Sequence, residues 1–230
     1  MKAADFLARI QQQLATTEAP TPHPGLYTAP VRTLSEDLLG EFTARLTAVG
    51  GHVYCAEDPL QARLQCRDII ETLLARGFSL ERAALSGHTL LQDLELDGLL
   101  RRMGLSVGFF TGSQLLDPVP NTDSAFELET ADIGVTGVEY ALASSGTLVV
   151  AASSYHPRAV SLLPPVHLAI VQRAQLLKDL AALARRIAQD APTLLPSGLA
   201  LITGPSRTAD IEQTLSIGVH GPAEVHVVFV

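Results

Sequence analysis

The chain has 230 residues, of which 47% are apolar, 5% aromatic and none tryptophan, with a net charge of −8. That length supports one full hydrophobic core, most economically as a single domain, and the aliphatic bias suits an α/β protein better than an aromatic-rich β-sandwich. The negative balance and scattered Lys/Arg exclude a nucleic-acid binder, which needs clustered cations to displace counterions. Arg101-Arg102 and Arg185-Arg186 are no more than pairs on solvated helical faces. Cys55 and Cys66 are the only cysteines; they make no Cys-x-x-Cys site, no iron–sulfur ligand set and no disulfide framework. The first residues, MKAADFLARIQQQL, lack the apolar core of a signal peptide, and no stretch approaches the ~20 apolar residues that cross a bilayer. The expectation is a cytoplasmic protein with no membrane insertion.

In chain order, Ala3 to Leu14 has helical periodicity, with Phe6, Leu7, Ile10 and Leu14 on one side. Pro20, Pro22, Pro24, Gly25 and Pro30 then forbid a helix or central strand. Residues 1–30 therefore read as a helix plus a proline-rich arm, either a linker or a segment that docks on a neighbouring subunit of a homo-oligomer. Residues 31–230 read as the α/β domain. Leu38, Leu39, Phe42, Leu46 and Val49 predict an amphipathic helix stopped by Gly50-Gly51. His52 to Cys55 predicts a short strand, and Pro59 opens a helix to about Arg76. Ala83 to Leu85 predicts a strand entering Ser86-Gly87-His88. Leu90 to Met103 is helical in pattern, Leu105 to Phe110 a strand, and Asn121 to Thr130 a turn with a short helix. Ile133 to Ala143 and Thr147 to Ala152 are apolar and β-prone, and the Ser144-Ser145-Gly146 break predicts a hairpin or sharp turn. Val166 to Val171 predicts a strand, Ala174 to Gln189 a long helix, and Glu224 to Val230 a buried final strand.

Three glycine- and hydroxyl-rich loops follow apolar runs. The richest is Thr203-Gly204-Pro205-Ser206-Arg207-Thr208, after Gly198 to Ile202. Thr208 predicts an N-cap, with Asp210 and Glu212 in the first helical turn. Arg207 offers a two-pronged donor to a carboxylate or phosphate, or a pairing with Asp210 or Glu212. Gly198–Ile202 and Val225–Val230 are then expected as neighbouring parallel strands joined by that helix. The second loop region holds Thr136, Gly137 and Glu139, then Ser144, Ser145, Gly146 and Thr147. Glu139, in an apolar setting, is a candidate proton-transfer group or a solvent-facing edge carboxylate. The hydroxyls line a polar pocket or close a turn. The third loop carries Arg158, which binds an acidic ligand or pairs with a surface carboxylate. His220 and Gly221 lie in a turn, where His220 is the best placed histidine for hydrogen bonding in a cleft. Gly137–Glu139, Ser144–Thr147 and Thr203–Thr208 are expected to meet in one cleft at strand ends. The seven histidines are dispersed without His-x-x-x-His spacing, so no metal is expected. P-loop, dinucleotide and nucleophile-elbow motifs are missing from the sequence.

The strings GVTGVEYALASSGTLVV, RAVSLLPPVHLAIV and ITGPSRTADIEQTLSIGVHGPAEVHVVFV resemble the LUD-domain family of LutC/YkgG-like lactate-utilization proteins over most of Ile133 to Val230. One departure stands out. The family usually carries an acidic or similarly polar residue and then Thr/Ser-Gly-Thr after the alanine, where this chain has Ser144-Ser145-Gly146-Thr147. If that acid is catalytic, this chain has lost the task or moved it to Glu139. The resemblance implies a mostly parallel α/β sheet flanked by helices, of the glucosamine-phosphate isomerase (NagB), ribose-phosphate isomerase (RpiA) and CoA-transferase type. It also implies a role in oxidising L-lactate to pyruvate beside a Cys-rich and an iron–sulfur partner, with no cofactor in this chain. Its share would be binding a small acidic or phosphorylated ligand at strand carboxyl ends. A free-standing isomerase or transferase acting on a sugar phosphate, CoA ester or nucleotide is the alternative.

Overall fold

The computed structural model describes residues 36–110, 128–153, 156–190, 196, 198–209 and 215–230. The helix and arm expected over residues 1–30, and Asp210 with Glu212, lie outside the described residues. Helix α1 (Leu38–Ala48) starts at Asp37, whose carboxylate accepts the Gly40 N–H at 2.8 Å, and is followed by β1 (His52–Cys55). Helix α2 (Pro59–Ala75) has Asp58 as N-cap and proline at its first position, where no N–H is needed. Then come β2 (Arg82–Ser86), α3 (Thr89–Asp93), α4 (Leu96–Arg102) and β3 (Ser106–Phe110). The helix expected over Leu90 to Met103 is thus two short ones. Glu95 between them takes a left-handed conformation, φ 46°, which breaks the helical hydrogen-bond ladder.

A 3₁₀ turn (Leu128–Thr130) leads to β4 (Ile133–Gly137), β5 (Tyr140–Leu142) and β6 (Thr147–Ala151). Strands β5 and β6 form the expected antiparallel hairpin, turning at Gly146 with φ 65° against the backbone of Arg45 and Leu46. Next are α5 (Ala159–Leu162), β7 (Val166–Val171), β8 (Leu176–Leu177), α6 (Leu180–Asp190), β9 (Leu199–Ile202), β10 (Arg207–Ala209), β11 (Leu215–Ile217) and β12 (Glu224–Phe229). The long helix expected from Ala174 starts only at Leu180. Residues 173–177 instead make a 3₁₀ turn and a strand, because Leu176 and Leu177 pair with Ala141 and Leu142.

Six strands form an all-parallel sheet in the order β1-β12-β7-β4-β2-β3. Strands β4 and β7 are buried at every residue, as parallel strands covered on both faces must be. On one face, Ile69, Ile70 and Leu73 of α2, with Leu91 and Leu100 of α3 and α4, pack on Leu85, Ile133, Val135, Leu168 and Val228. On the other face, α1 and a second sheet, ordered β8-β5-β6-β9, cover Ala169, Val171, Val225, Val227 and Phe229. Helix α5 covers β2 and β4 through Val160 and Ala84.

Two expectations for the C-terminal third are corrected. Strand β9 does not neighbour β12; it pairs antiparallel with β6 at the edge of the second sheet. Its Leu199 and Leu201 stay exposed while Ala200 and Ile202 turn inward, so an apolar run took an edge position with one covered face. The segment from Thr208 does not begin as a helix. Residues Arg207–Ala209 pair antiparallel with Leu215–Ile217, closed at the base by Gly218 N–H to Ser206 O at 2.9 Å. Cap residues favour a helix only weakly when the helix would be short, and strand pairing outcompetes it here.

Aromatics are scarce, and one pair ties the first described helix to the last strand. Phe42 of α1 meets Phe229 of β12 edge to face, centroids 5.1 Å apart and planes at 81°, both fully buried. Replacing Phe42 by alanine removes that contact and leaves a cavity, so Phe42→Ala should cost about 3–5 kcal/mol. Urea titrations of wild type and variant check it; an unchanged midpoint would contradict this account of the packing.

Candidate functional site at the strand carboxyl ends

After β2 the chain continues to β3 on one side, whereas after β4 it continues to β7 on the other. The reversal opens a crevice between the carboxyl ends of β2 and β4, the usual ligand position in open parallel sheets. The strand exits supply its side chains. Beyond β2, His88 caps α3 by accepting the Leu90 N–H on Nδ1 at 3.2 Å, which places its proton on Nε2. Its ring occupies the space a side chain on Gly137 would need, so glycine at the end of β4 admits the imidazole. Two residues on, Glu139 is held by its own backbone and side chain. Its N–H donates to Val149 O at 3.1 Å, and Oε2 accepts the Ala151 N–H at 2.7 Å.

Glu139 Oε1 then lies 3.4 Å from Nδ1 of His156, and the His88 and His156 rings meet edge to face with centroids 6.1 Å apart. His156 is fixed by reciprocal backbone hydrogen bonds with Ser153, both 3.2 Å. It is 2% exposed, yet among the described residues neither ring nitrogen has a hydrogen bond in good geometry, the Glu139 contact included. Below, on the face covered by α5, Thr136 Oγ1 and His167 Nε2 are 2.9 Å apart and fully buried. Six buried side-chain polar atoms lack a partner among the described residues. Four of them, Ser86 Oγ, both nitrogens of His156 and Nδ1 of His167, belong to β2, β7 and this crevice. Buried polar groups are normally satisfied, so such a concentration marks a place built for something besides stability.

Burial sets the protonation. It lowers His88 below the ordinary histidine value, with the neighbouring His156 acting the same way and Glu139 opposing. Burial, helped by His156 and His226, pushes His167 down to about 3. At the other end of the sheet, burial and then His52 push His226 down to about 4. Burial raises Glu224 there, but the Arg76 hydrogen bond and charge, with His226 and His52, bring it below its usual range.

The sequence-named residues fall into separate places. Thr136, Gly137 and Glu139 are at the crevice. Arg158, at the start of α5, is exposed and lies against Gly198, with Nη1 3.2 Å from where a Cβ of that glycine would stand. The Ser144–Thr147 turn packs instead on α1, and Ser145, Thr147 and Thr203 form a hydroxyl chain with 2.6 and 2.7 Å separations. Gly204 sits against Val49, and Arg207 donates to the Val49 carbonyl at 2.6 Å, a cation on the carboxyl end of α1. Pro205 is half-buried beside it, and Thr208 lies in β10. Ser206 N–H donates to Pro222 O at 2.8 Å beside Gly221, just before β12 begins, and His220 is exposed. The Ser206 loop is therefore at the amino ends of the parallel strands and Glu139 at their carboxyl ends. The hydroxyl chain joins the Ser144–Thr147 turn to Thr203, while Glu139 lies at the opposite strand ends, so the three loops do not share one cleft. Sequence reasoning missed His88 and His156 as neighbours of Glu139, although Ser86-Gly87-His88 at a strand exit was a usable signal.

An open parallel sheet with a small mixed sheet layered on one face and a polar crevice at the order reversal defines the class: an α/β protein with its candidate site at strand carboxyl ends. A family model for the LUD domain matches residues 39–230, and the chain belongs to the LUD domain family. It is 43% identical over 96 residues to lactate utilization protein C of Halalkalibacterium halodurans, covering 41% of this chain and 42% of that protein. It is 33% identical over 146 residues to the uncharacterized protein YkgG of Escherichia coli, covering 63% and 60%. Lactate utilization protein C of Bacillus subtilis is 39% identical over 104 residues, covering 44% and 43%. The chain thus matches about half the length of these curated relatives. A crystal structure of a DUF162 family protein from Deinococcus radiodurans shares the fold, with TM-score 0.51 and 20% identity over 86% of this chain and 99% of that one. No helix among the described residues is long and apolar enough to cross a membrane.

His167 gives a pH prediction. Unfolded, it binds a proton near its ordinary 6.5; folded, only near 3. The unfolded state therefore binds more protons in between, and stability falls as pH drops through 6.5 towards 3, by up to about 1.4 kcal/mol per pH unit. Denaturant titrations at pH 7 and 5 should show this loss, and His167→Asn should shrink it. An identical pH dependence in the variant would contradict the assignment.

Proposed function

We propose that this chain is a non-redox subunit of a lactate-utilization system, binding a small acidic or phosphorylated ligand over the Glu139–His156–His88 crevice. The carrying observation is His156, buried with both ring nitrogens lacking a hydrogen-bond partner among the described residues, 3.4 Å from Glu139 at the order reversal of the sheet. A ligand carboxylate or phosphate would give His156 and the Nε2–H of His88 an anionic acceptor, while Glu139 takes or returns a proton. The curated relatives named lactate utilization protein C support the biological setting. Electron transfer falls to partners, for which Cys-rich and iron–sulfur subunits are the proposed candidates. Two cysteines cannot ligate a four-thiolate cluster, and burial pushes the Cys66 thiol up to about 12, away from thiolate chemistry.

A host lacking its own lactate utilization protein C tests the proposal. Wild type should restore growth on L-lactate, and Glu139→Gln and His156→Asn should fail at equal protein abundance. L-lactate, pyruvate and inorganic phosphate, titrated separately into purified protein, identify the ligand class. Losing one hydrogen bond to a charged group should weaken the binding probe about ten- to a hundredfold in His156→Asn. Full rescue by both variants would sink the crevice reading; no rescue by wild type would sink the lactate role.

A further inference from the structure

We propose that His52, Glu224 and His226 form a divalent transition-metal site of the zinc class at the amino ends of β1 and β12, separate from the crevice. The parallel register sets His52 directly beside His226, and Glu224 follows two residues back on the same face of β12. Nε2 of His52 lies 3.4 Å and Nε2 of His226 3.3 Å from the same atom, Oε2 of Glu224. One ligand atom from each residue falls within 4.8 Å of the others. Tetrahedral zinc holds nitrogen and oxygen ligands at about 2.0–2.2 Å, so its ligand atoms stand about 3.3 Å apart. Both histidine–glutamate separations already match that spacing. The two rings are stacked, centroids 4.8 Å apart at 16°. An ion would need one ring to turn its lone pair inward, and the His52 side chain, 46% exposed, has room to do so.

The second observation is independent of the cluster's composition. The His226 side chain is 4% exposed, and its Nε2 has no hydrogen-bond partner among the described residues although it is aimed at Glu224. A buried ring nitrogen left without a hydrogen bond is costly in a merely structural histidine and useful in a ligand. Surrounding groups are arranged as metal ligands require. Tyr54 Oη is 3.3 Å from His226 Nδ1, able to accept a hydrogen bond from Nδ1–H and leave the Nε2 lone pair for an ion. Arg76 grips Glu224 with 2.6 Å to Oε1 and 3.2 Å to Oε2, fixing the carboxylate; a bound ion would take over the weaker contact at Oε2. Two histidines and one glutamate leave a fourth position open to water or substrate, and imidazole donors favour zinc, cobalt or copper over magnesium or calcium.

Chelator-treated protein is titrated with Co²⁺, reading visible absorbance, and then with Zn²⁺ as competitor. One Co²⁺ per chain should bind and be displaced by Zn²⁺. His52→Ala, a surface change that circular dichroism should show folded, and Glu224→Gln should each weaken Co²⁺ binding at least tenfold. His156→Ala, in the crevice, should leave it unchanged, which separates this site from the proposed lactate role. No stoichiometric Co²⁺ binding, or binding that survives both His52→Ala and Glu224→Gln, overturns the site. So does binding lost only in His156→Ala.

Discussion

Insertion of the last strand between β1 and β7 is the constraint on which the rest of this structure depends. Strand β12 hydrogen-bonds along its length to both neighbours, in parallel register from His52–His226 to Cys55–Phe229 and from Glu224–Val166 to Phe229–Val171. Parallel pairing between segments so distant in sequence carries a large loop-closure cost before any contact repays it. The return comes from burial on both faces at once. Val225, Val227 and Phe229 point into the core under α1 and the second sheet, while Val228 faces α2 to α4. Removing β12 would strip β1 from the sheet and α1 from its anchor together.

The same insertion explains why buried histidines appear in a protein otherwise so aliphatic. In a sheet covered on both faces, a polar side chain cannot escape to water along the strand and must find partners across it. His167 finds Thr136 on one adjacent strand, and His226 finds Tyr54 on another. Each such pairing fixes which strands must be neighbours, since a slip of one residue would send the histidine to the opposite face. Polar contacts here specify the register as much as they stabilise it. His156, His167 and His226 each keep at least one ring nitrogen without a hydrogen-bond partner among the described residues.

Most of the parallel sheet was legible because its strands read the same locally and globally. HVYC, VHLAIV and EVHVVF are short, β-branched runs bounded by turn residues, and they became β1, β7 and β12. Asp58-Pro59 marked a helix start for the same reason, a local signal that packing did not contradict. The failures occur where local pattern and tertiary position disagree. GLALI looks like an interior strand yet occupies an edge, and nothing in its composition says which partner it will choose. Thr208-Ala209-Asp210 looks like a capped turn, yet β-pairing to Leu215–Ile217 prevails. Arg207, singled out for its chemistry, is spent on the carbonyl of Val49, a contact 158 residues away in sequence.

The candidate sites were less legible than the fold, and the reason is geometric. Glu139 could be picked from its apolar surroundings, but its partners come from other elements: His88 from the exit of β2 and His156 from the turn before α5. His52 and His226 are 174 positions apart in number and adjacent only through parallel pairing. Spacing rules find ligands that share a helix or a loop; they are blind to ligands delivered by neighbouring parallel strands. In such a sheet every strand end presents its residues beside those of strands chosen by topology, so a dispersed set of histidines is no argument against a clustered one. The strand order has to be known first, and here it gathers the most buried of the described histidines, His156, His167 and His226, in and against a single sheet.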